Sequence, residues 1–340
     1  MFHLPRVDHP WTDPFAERVI GRSQACAPRF RNLIPHPASP PPPVPMRPVT
    51  VRVPASTSNL GPGFDTLGIA LRLYNRVRVE PAKAPGPRIV SSIAEDARPG
   101  ATRIIADAAQ AFFKRARRRP FGFDIHLSGD VPMARGLGSS VTVRLGTVAA
   151  LNELARQPLE RRALFEIVAD LEGHPDNAAP AAFGGFTAAA IVDGVARCVR
   201  LPVSSKFKFV ALIPPFEVPT DAARRLVPQS FSKTDTVHNL TRTALITAAF
   251  AQGNAEALRG AFDDRIHQPY REPLIPQLTR VIRAAEAAGA IGGWLSGSGS
   301  TILCVATQNL DAIGRAMLRQ LPGSAISVLA ADRTGYAVLR

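Results

Sequence analysis

The chain reads as an α+β protein in two domains, on three observations. Its 340 residues are more than one domain usually holds. Strand-like and helix-like runs alternate from Val49 to the C-terminus without an internal repeat. Ser204 and Ser205 mark a break, after which Phe207 to Ile213 opens a new strand. The expected division is an extension over 1–45, a first domain over 46–204 and a second over 205–340.

The elements follow in order. Val49 to Val53 alternates as a strand, and Leu71 to Val79 reads as another. Thr102 to Ala116 carries helical spacing. Phe121 to Ser128 is a strand, and Val141 to Leu154 a helix whose start falls at Ser139 and Ser140, hydroxyls suited to an N-cap. Leu159 to Glu172 is a second helix, stopped near Gly173, and Ala178 to Phe183 a short third. Gly185 to Val192 and Ala196 to Leu201 pair across an Asp193-Gly194 turn. Beyond the break come helices at about 221–227, 234–251 and 276–288, then strands around 293–306 and 325–339. Residues 1–45 end in the proline-rich stretch Pro37 to Pro45 and are expected to be disordered, or to precede a true start at Met46. A native N-terminal peptide beginning at Met1 would exclude the second option.

Composition narrows the function classes. Hydrophobic residues make up 46% of the chain, ample for a core. No apolar run reaches the roughly 18 residues of a membrane span, so no membrane partner is expected. Cys26, Cys198 and Cys304 are far apart and form neither a metal pattern nor a disulfide framework, which suits a reducing cytoplasm. The net charge of +14 raises the question of nucleic acid. Its densest run, Lys114 to Arg119, lies at a helix end, where cations complement the dipole, and carries no interleaved aromatics. No nucleic-acid partner is expected.

The stretch that bears chemistry is Pro132-Met133-Ala134-Arg135-Gly136-Leu137-Gly138-Ser139-Ser140-Val141-Thr142. A glycine loop between a strand and a helix leaves backbone N–H groups free at the positive end of the helix dipole, a seat for phosphate. Its spacing fits neither of the two common nucleotide-loop patterns. Two more glycine-rich stretches, Val53 to Gly68 and Gly292 to Ser300, stand near the two ends of the folded region.

Three such motifs in this order resemble the superfamily of galactokinase, homoserine kinase, mevalonate kinase and phosphomevalonate kinase, from about Met46 to the C-terminus. Within it, Glu172-Gly-His-Pro-Asp-Asn177, Ala179 to Gly185 and His267-Gln-Pro-Tyr-Arg271 resemble the homoserine kinases. The resemblance implies an N-terminal domain like the second domain of ribosomal protein S5, a ferredoxin-like C-terminal domain, and ATP with Mg²⁺ as cofactors. It implies phosphorylation of L-homoserine for threonine synthesis, and it allows a homodimer.

Glu166 and Glu172, both on one helix, are candidate carboxylates for Mg²⁺. Carried onto this chain, the family pattern has residues Pro132 to Thr142 hold the triphosphate and favours Glu166, with Ser140, to hold Mg²⁺. It places Asn59, Asp65, His174, Asn177, Thr220, Arg224 and Arg271 at the substrate. Asp65 would meet the ammonium group, and Arg224 with Arg271 the carboxylate, since guanidinium grips carboxylate through paired hydrogen bonds. His174, Asn177 and Arg224 are the expected catalytic residues, with Asn177 orienting the hydroxyl. An amide is no useful base, so phosphate or solvent would take the proton, with Asp176 as the alternative base. Ser300 stands where the third motif usually has proline, and Thr142 and Arg144 where small residues are usual. Two further readings fit the residues: a kinase of the same superfamily acting on another alcohol, and a non-catalytic protein that binds through its basic surface.

Overall fold

The computed structural model describes residues 47–339 apart from Ile93 and Asp96, so the expectations for the 1–45 extension, for Met46 and for Cys26 lie outside the described residues. The first sheet grows from β1 (Val49–Ser58), whose Val51, Val53 and Ala55 are fully buried. It pairs antiparallel with β2 (Leu67–Ala82), and the register shifts between Pro54 and Ala55, where proline offers no N–H to the ladder. β3 (Pro87–Ile89) is a short edge strand. Helix α1 (Arg98–Ala116) begins earlier than its expected start at Thr102, because Pro99 falls in the first turn, where its missing N–H costs nothing.

β4 (Gly122–Gly129) leads through the glycine loop into α2 (Ser139–Leu154). α3 (Arg161–Glu172) ends on Gly173 in the left-handed region, and α4 (Ala178–Phe183) follows. β5 (Phe186–Val192) and β6 (Val195–Leu201) form the expected hairpin, with Asp193 and Gly194 both at positive φ. The sheet runs β3-β4-β2-β1, with β5 and β6 joined to the first three residues of the long β2. Helices α1 to α4 bury one large cluster against it, including Phe112, Phe123 and Phe165.

The second half carries β7 (Lys208–Ile213), α5 (Thr220–Arg225), α6 (Lys233–Gln252), the single turn α7 (Gln268–Arg271), α8 (Leu278–Ala287), β8 (Gly292–Leu295), β9 (Ile302–Ala306), α9 (Leu310–Gln320) and β10 (Ala325–Leu329). Its antiparallel sheet is ordered β10-β7-β9-β8, the strand order and βαββαβ connectivity of a ferredoxin-like layer. The stretch 325–339, expected as strand of this half, divides: β11 (Ala337–Leu339) pairs with β1 in the first sheet. The crossing turns on Asp332, whose carboxylate accepts from the Thr334 N–H at 2.8 Å, the Gly335 N–H at 2.7 Å and the Tyr74 hydroxyl at 2.9 Å. A second apolar cluster, with Trp294, Phe209, Phe250 and Leu67, joins residues of both halves.

Candidate active site

The glycine loop is held open by contacts too close for side chains. Gly136 has φ +74°, and a Cβ there would lie 2.0 Å from the Ser296 carbonyl; Gly138 has φ +69°, with Ser56 Oγ 2.3 Å from its virtual Cβ. The third motif packs on this loop: Ser296 Oγ donates to the Gly136 carbonyl at 2.6 Å and the Thr301 N–H to the Arg135 carbonyl at 3.1 Å. Gly138 occupies the N-cap position of α2, so Ser139 and Ser140 fall inside the helix rather than capping it. No side chain caps this end and its first turn has no acidic residue. The first N–H groups of the helix are therefore available to an anion.

A cleft of about 640 Å³ runs past this helix start. Of the predicted loop residues, Met133, Ala134, Gly136, Gly138, Ser139, Ser140 and Val141 line it, and Pro132, Arg135, Leu137 and Thr142 do not. Leu137 is core. Arg135 turns away: its Nε and Nη2 donate to the Pro214 and Pro215 carbonyls at 3.1 and 2.8 Å, and its Nη1 lies 3.2 Å from Glu217. Thr142 Oγ1 donates to the Ser139 carbonyl at 2.7 Å and accepts from Asn75 Nδ2 at 2.8 Å, a brace that gives this departure from the family pattern a purpose.

Glu166, the expected metal ligand, does not reach the cleft. Its carboxylate takes Arg115 at 3.0 Å and Arg162 at 3.2 Å. Glu172 does line the cleft, and Ser140 Oγ donates to Glu172 Oε2 at 3.2 Å. The two glutamates point about 120° apart around α3, at about 100° per residue, so one position can serve the cleft and the other cannot.

All seven residues expected at the substrate line the cleft. The chain around Asn59, Leu60 and Gly61 runs through three successive positive φ values, 72°, 49° and 71°. Left-handed backbone at a leucine is costly, and its persistence marks a place where surrounding contacts dictate the turn. Here Asn59 Oδ1 accepts the Asp65 N–H at 3.1 Å and Nδ2 donates to the Gly297 carbonyl at 3.0 Å, tying the first motif to the third.

Asp65 and Arg224, expected to take opposite ends of the substrate, meet each other through two parallel hydrogen bonds of 2.8 and 3.1 Å. Thr220, one turn earlier on α5, is 3.4 Å from the Ser298 hydroxyl. Arg271 is only 2% exposed and donates to the Ala223 and Gly297 carbonyls at 3.3 and 2.9 Å. Burial, with Arg224 close by, pushes its pKa down to about 10, which leaves it charged at neutral pH. Phe64, which sequence reasoning passed over, lies under both guanidinium groups, 5.8 Å from Arg224 and 5.2 Å from Arg271.

Asn177 is fixed at both ends of its amide: Oδ1 accepts from Ser56 Oγ at 2.8 Å and Nδ2 donates to Ser58 Oγ at 2.9 Å. His174 Nδ1 stands 2.5 Å from Asp176 Oδ1. Burial works against the imidazolium, but the hydrogen bond and charge of Asp176 outweigh it and hold His174 above its ordinary pKa. Asp176 is 1% exposed. Burial raises its pKa, and the bonds from His174, Ser58 and the Asn177 N–H more than reverse this, so its carboxyl sits below the usual range. That makes Asp176 a partner for His174 and a poor proton acceptor. Asp65, His174 and Asp176 bring three metal-type ligand atoms within 4.8 Å. His174 pairs with Asp176, and Arg224 stands on Asp65.

The far end of the cleft is apolar. Ala97, Gly100, Ala101 and Ile104, at the start of α1, line it together with Leu127 and Val143. Small apolar residues look like core in a sequence, and only the fold sets them around a slot.

Comparison with known proteins gives the family. The family model described as GHMP kinases N terminal domain matches residues 103–185, and that described as GHMP kinases C terminal matches 246–323. Homoserine kinase of Deinococcus radiodurans is 40% identical over 260 residues, 76% of this chain and 85% of the relative. That of Microchaete diplosiphon is 40% identical over 273 residues, 79% and 89% of the two chains. The crystal structure of homoserine kinase from Cytophaga hutchinsonii aligns with a TM-score of 0.79 at 28% identity, covering 86% of this chain and 97% of that one. Mevalonate kinase from Methanococcus jannaschii, at 14% identity and a TM-score of 0.62, shares the fold alone. The chain therefore belongs to the homoserine kinases, within the two-domain GHMP kinases.

Proposed function

We propose that this chain transfers the γ-phosphoryl group of ATP to the side-chain hydroxyl of L-homoserine, giving O-phospho-L-homoserine, in the cytoplasm. One observation carries the reading: a single cleft joins an uncapped helix start behind a glycine loop to a zwitterion-complementary pair, Asp65 and Arg224. The triphosphate would lie along the N–H groups of residues 138–141, with the base at the apolar end between α1 and Val143. Residues 46–204 would form the nucleotide domain and 205–340 would bring the substrate clamp.

Asp65 and Arg224 would exchange each other for the ammonium and carboxylate groups of the amino acid, a swap that keeps both charges paired. Arg271 and Phe64 back the Arg224 side, and Thr220 closes it. Asn177, locked by Ser56 and Ser58, would orient the hydroxyl for attack. His174, whose protonated form Asp176 favours, would sit near the transferring phosphoryl group, where charge stabilisation is the main catalytic need. The proton leaves to phosphate or solvent. Ser140 and Glu172 offer hard oxygen donors beside the anion seat, the donor type Mg²⁺ prefers, and would hold it. Bound there, Mg²⁺ supplies neutralisation of phosphate charge.

The test is ADP release from ATP with L-homoserine, D-homoserine, L-serine, mevalonate and no acceptor. Selective turnover of L-homoserine is expected. Turnover of an alcohol lacking the ammonium or carboxylate group would sink the substrate assignment and keep the kinase.

A further inference from the structure

Ser140 and Arg144 stand one turn apart on α2 and share one partner. Ser140 Oγ donates to Glu172 Oε2 at 3.2 Å, and Arg144 Nη1 forms an ion pair with Glu172 Oε1. The Arg144 and Glu172 side chains are 15% and 10% exposed, so solvent screens the pair weakly. Arg144 Nε is buried without an acceptor among the described residues. A side chain left with an unsatisfied buried donor is retained for something other than the best hydrogen bonding. The result is a fixed cation in the second turn of the helix that faces the anion seat. It neutralises the carboxylate that the proposal above gives to the metal.

We propose that Arg144 is a positioning residue that controls metal entry. In the nucleotide-free enzyme it holds Glu172 as a neutral pair, and the remaining donor, the Ser140 hydroxyl, is uncharged. Such a site offers a dication no net attraction. The triphosphate brings the missing negative charge, so metal is retained only together with nucleotide. Arg144 also fixes which carboxylate oxygen remains for the metal, because Oε1 is taken and Oε2 faces Ser140.

This inference rests on placing the metal at Ser140 and Glu172, and the experiment separates the two. Mn²⁺ binding is followed by electron paramagnetic resonance, with and without a non-hydrolysable ATP analogue, for the wild type, Arg144→Met, Arg144→Lys and Glu172→Gln. The wild type is expected to bind Mn²⁺ well only with nucleotide. Arg144→Met frees the carboxylate and should tighten nucleotide-free binding by about tenfold or more, the scale of one lost neighbouring charge. Arg144→Lys keeps the charge and should stay with the wild type. Arg144→Gln, also uncharged, carries the same expectation as methionine if that variant does not fold.

Two results overturn the proposal alone: tight Mn²⁺ binding by the nucleotide-free wild type, or no gain in the uncharged variants while Glu172→Gln abolishes nucleotide-dependent binding. Undiminished nucleotide-dependent binding in Glu172→Gln would instead remove the metal assignment, and the gating with it.

Discussion

At one end of the cleft the working surface is backbone: Gly136, Gly138 and the uncapped start of α2 present N–H groups, while Arg135 and Leu137 stay out of the lining. At the other end it is charge, with Asp65 on Arg224 and His174 on Asp176, and Arg271 anchored behind them. The backbone end is specified by conformation and tolerates no added atom. The charged end is specified by geometry between elements far apart in the chain, such as Asp65 in the first half and Arg224 on α5. The first should fail when a Cβ is added, the second when a charge keeps its sign and loses its shape.

The largest effect is expected from Gly136→Ala. Its Cβ would strike the Ser296 carbonyl at a φ that alanine resists, so loop and third motif must separate. Activity should fall by about a thousandfold, with a measurable drop in melting temperature, both read on the purified variant. Arg224→Lys keeps a cation but loses the two-pronged grip, and should cost about a hundredfold in kcat/KM for homoserine while KM for ATP holds. Next comes the glutamate pair on α3. Glu172→Gln should lower kcat by about tenfold to a hundredfold, whereas Glu166→Gln should stay within about twofold, as is usual for exposed ion pairs.

The smallest effect concerns pH. Asp176 is the main group raising His174; Asp65 adds to it and Arg224 opposes it. Proton NMR of the imidazole should give a pKa above the ordinary value, falling in Asp176→Asn. For stability, a raised histidine contributes below its unfolded pKa and loses that contribution as pH rises through the folded value. Asp176, held low, contributes above the ordinary carboxylate range and loses it as pH falls through its folded value. The wild type should therefore lose more stability than Asp176→Asn both at acid pH and as pH rises above the ordinary histidine range. Equal pH profiles for the two proteins would contradict the pairing.

The backbone end was legible in the sequence because glycine at loop and cap positions has few other uses. The hairpin turn at Asp193-Gly194 was readable for the same reason. Which glutamate of α3 faces the cleft was not readable, because spacing from His174 does not give helical phase until the end of α3 at Gly173 is known. The Asp65–Arg224 pair and the Arg144–Glu172 pair join distant elements, and no local pattern announces them. Helix α9 was not predicted, although Ile313, Ala316 and Met317 carry helical spacing. The strand at Ala337–Leu339 was expected, but its place in the first sheet was not, because its partner lies at the opposite end of the folded chain.

The most direct test of a cleft with two differently built ends is to measure kcat and both KM values for the wild type, Gly136→Ala and Arg224→Lys in one series. The account predicts that L-homoserine is phosphorylated, that Arg224→Lys raises KM for homoserine and leaves ATP alone, and that Gly136→Ala damages ATP use. Equal effects of both variants on both substrates, or no phosphorylation of homoserine by the wild type, would contradict it.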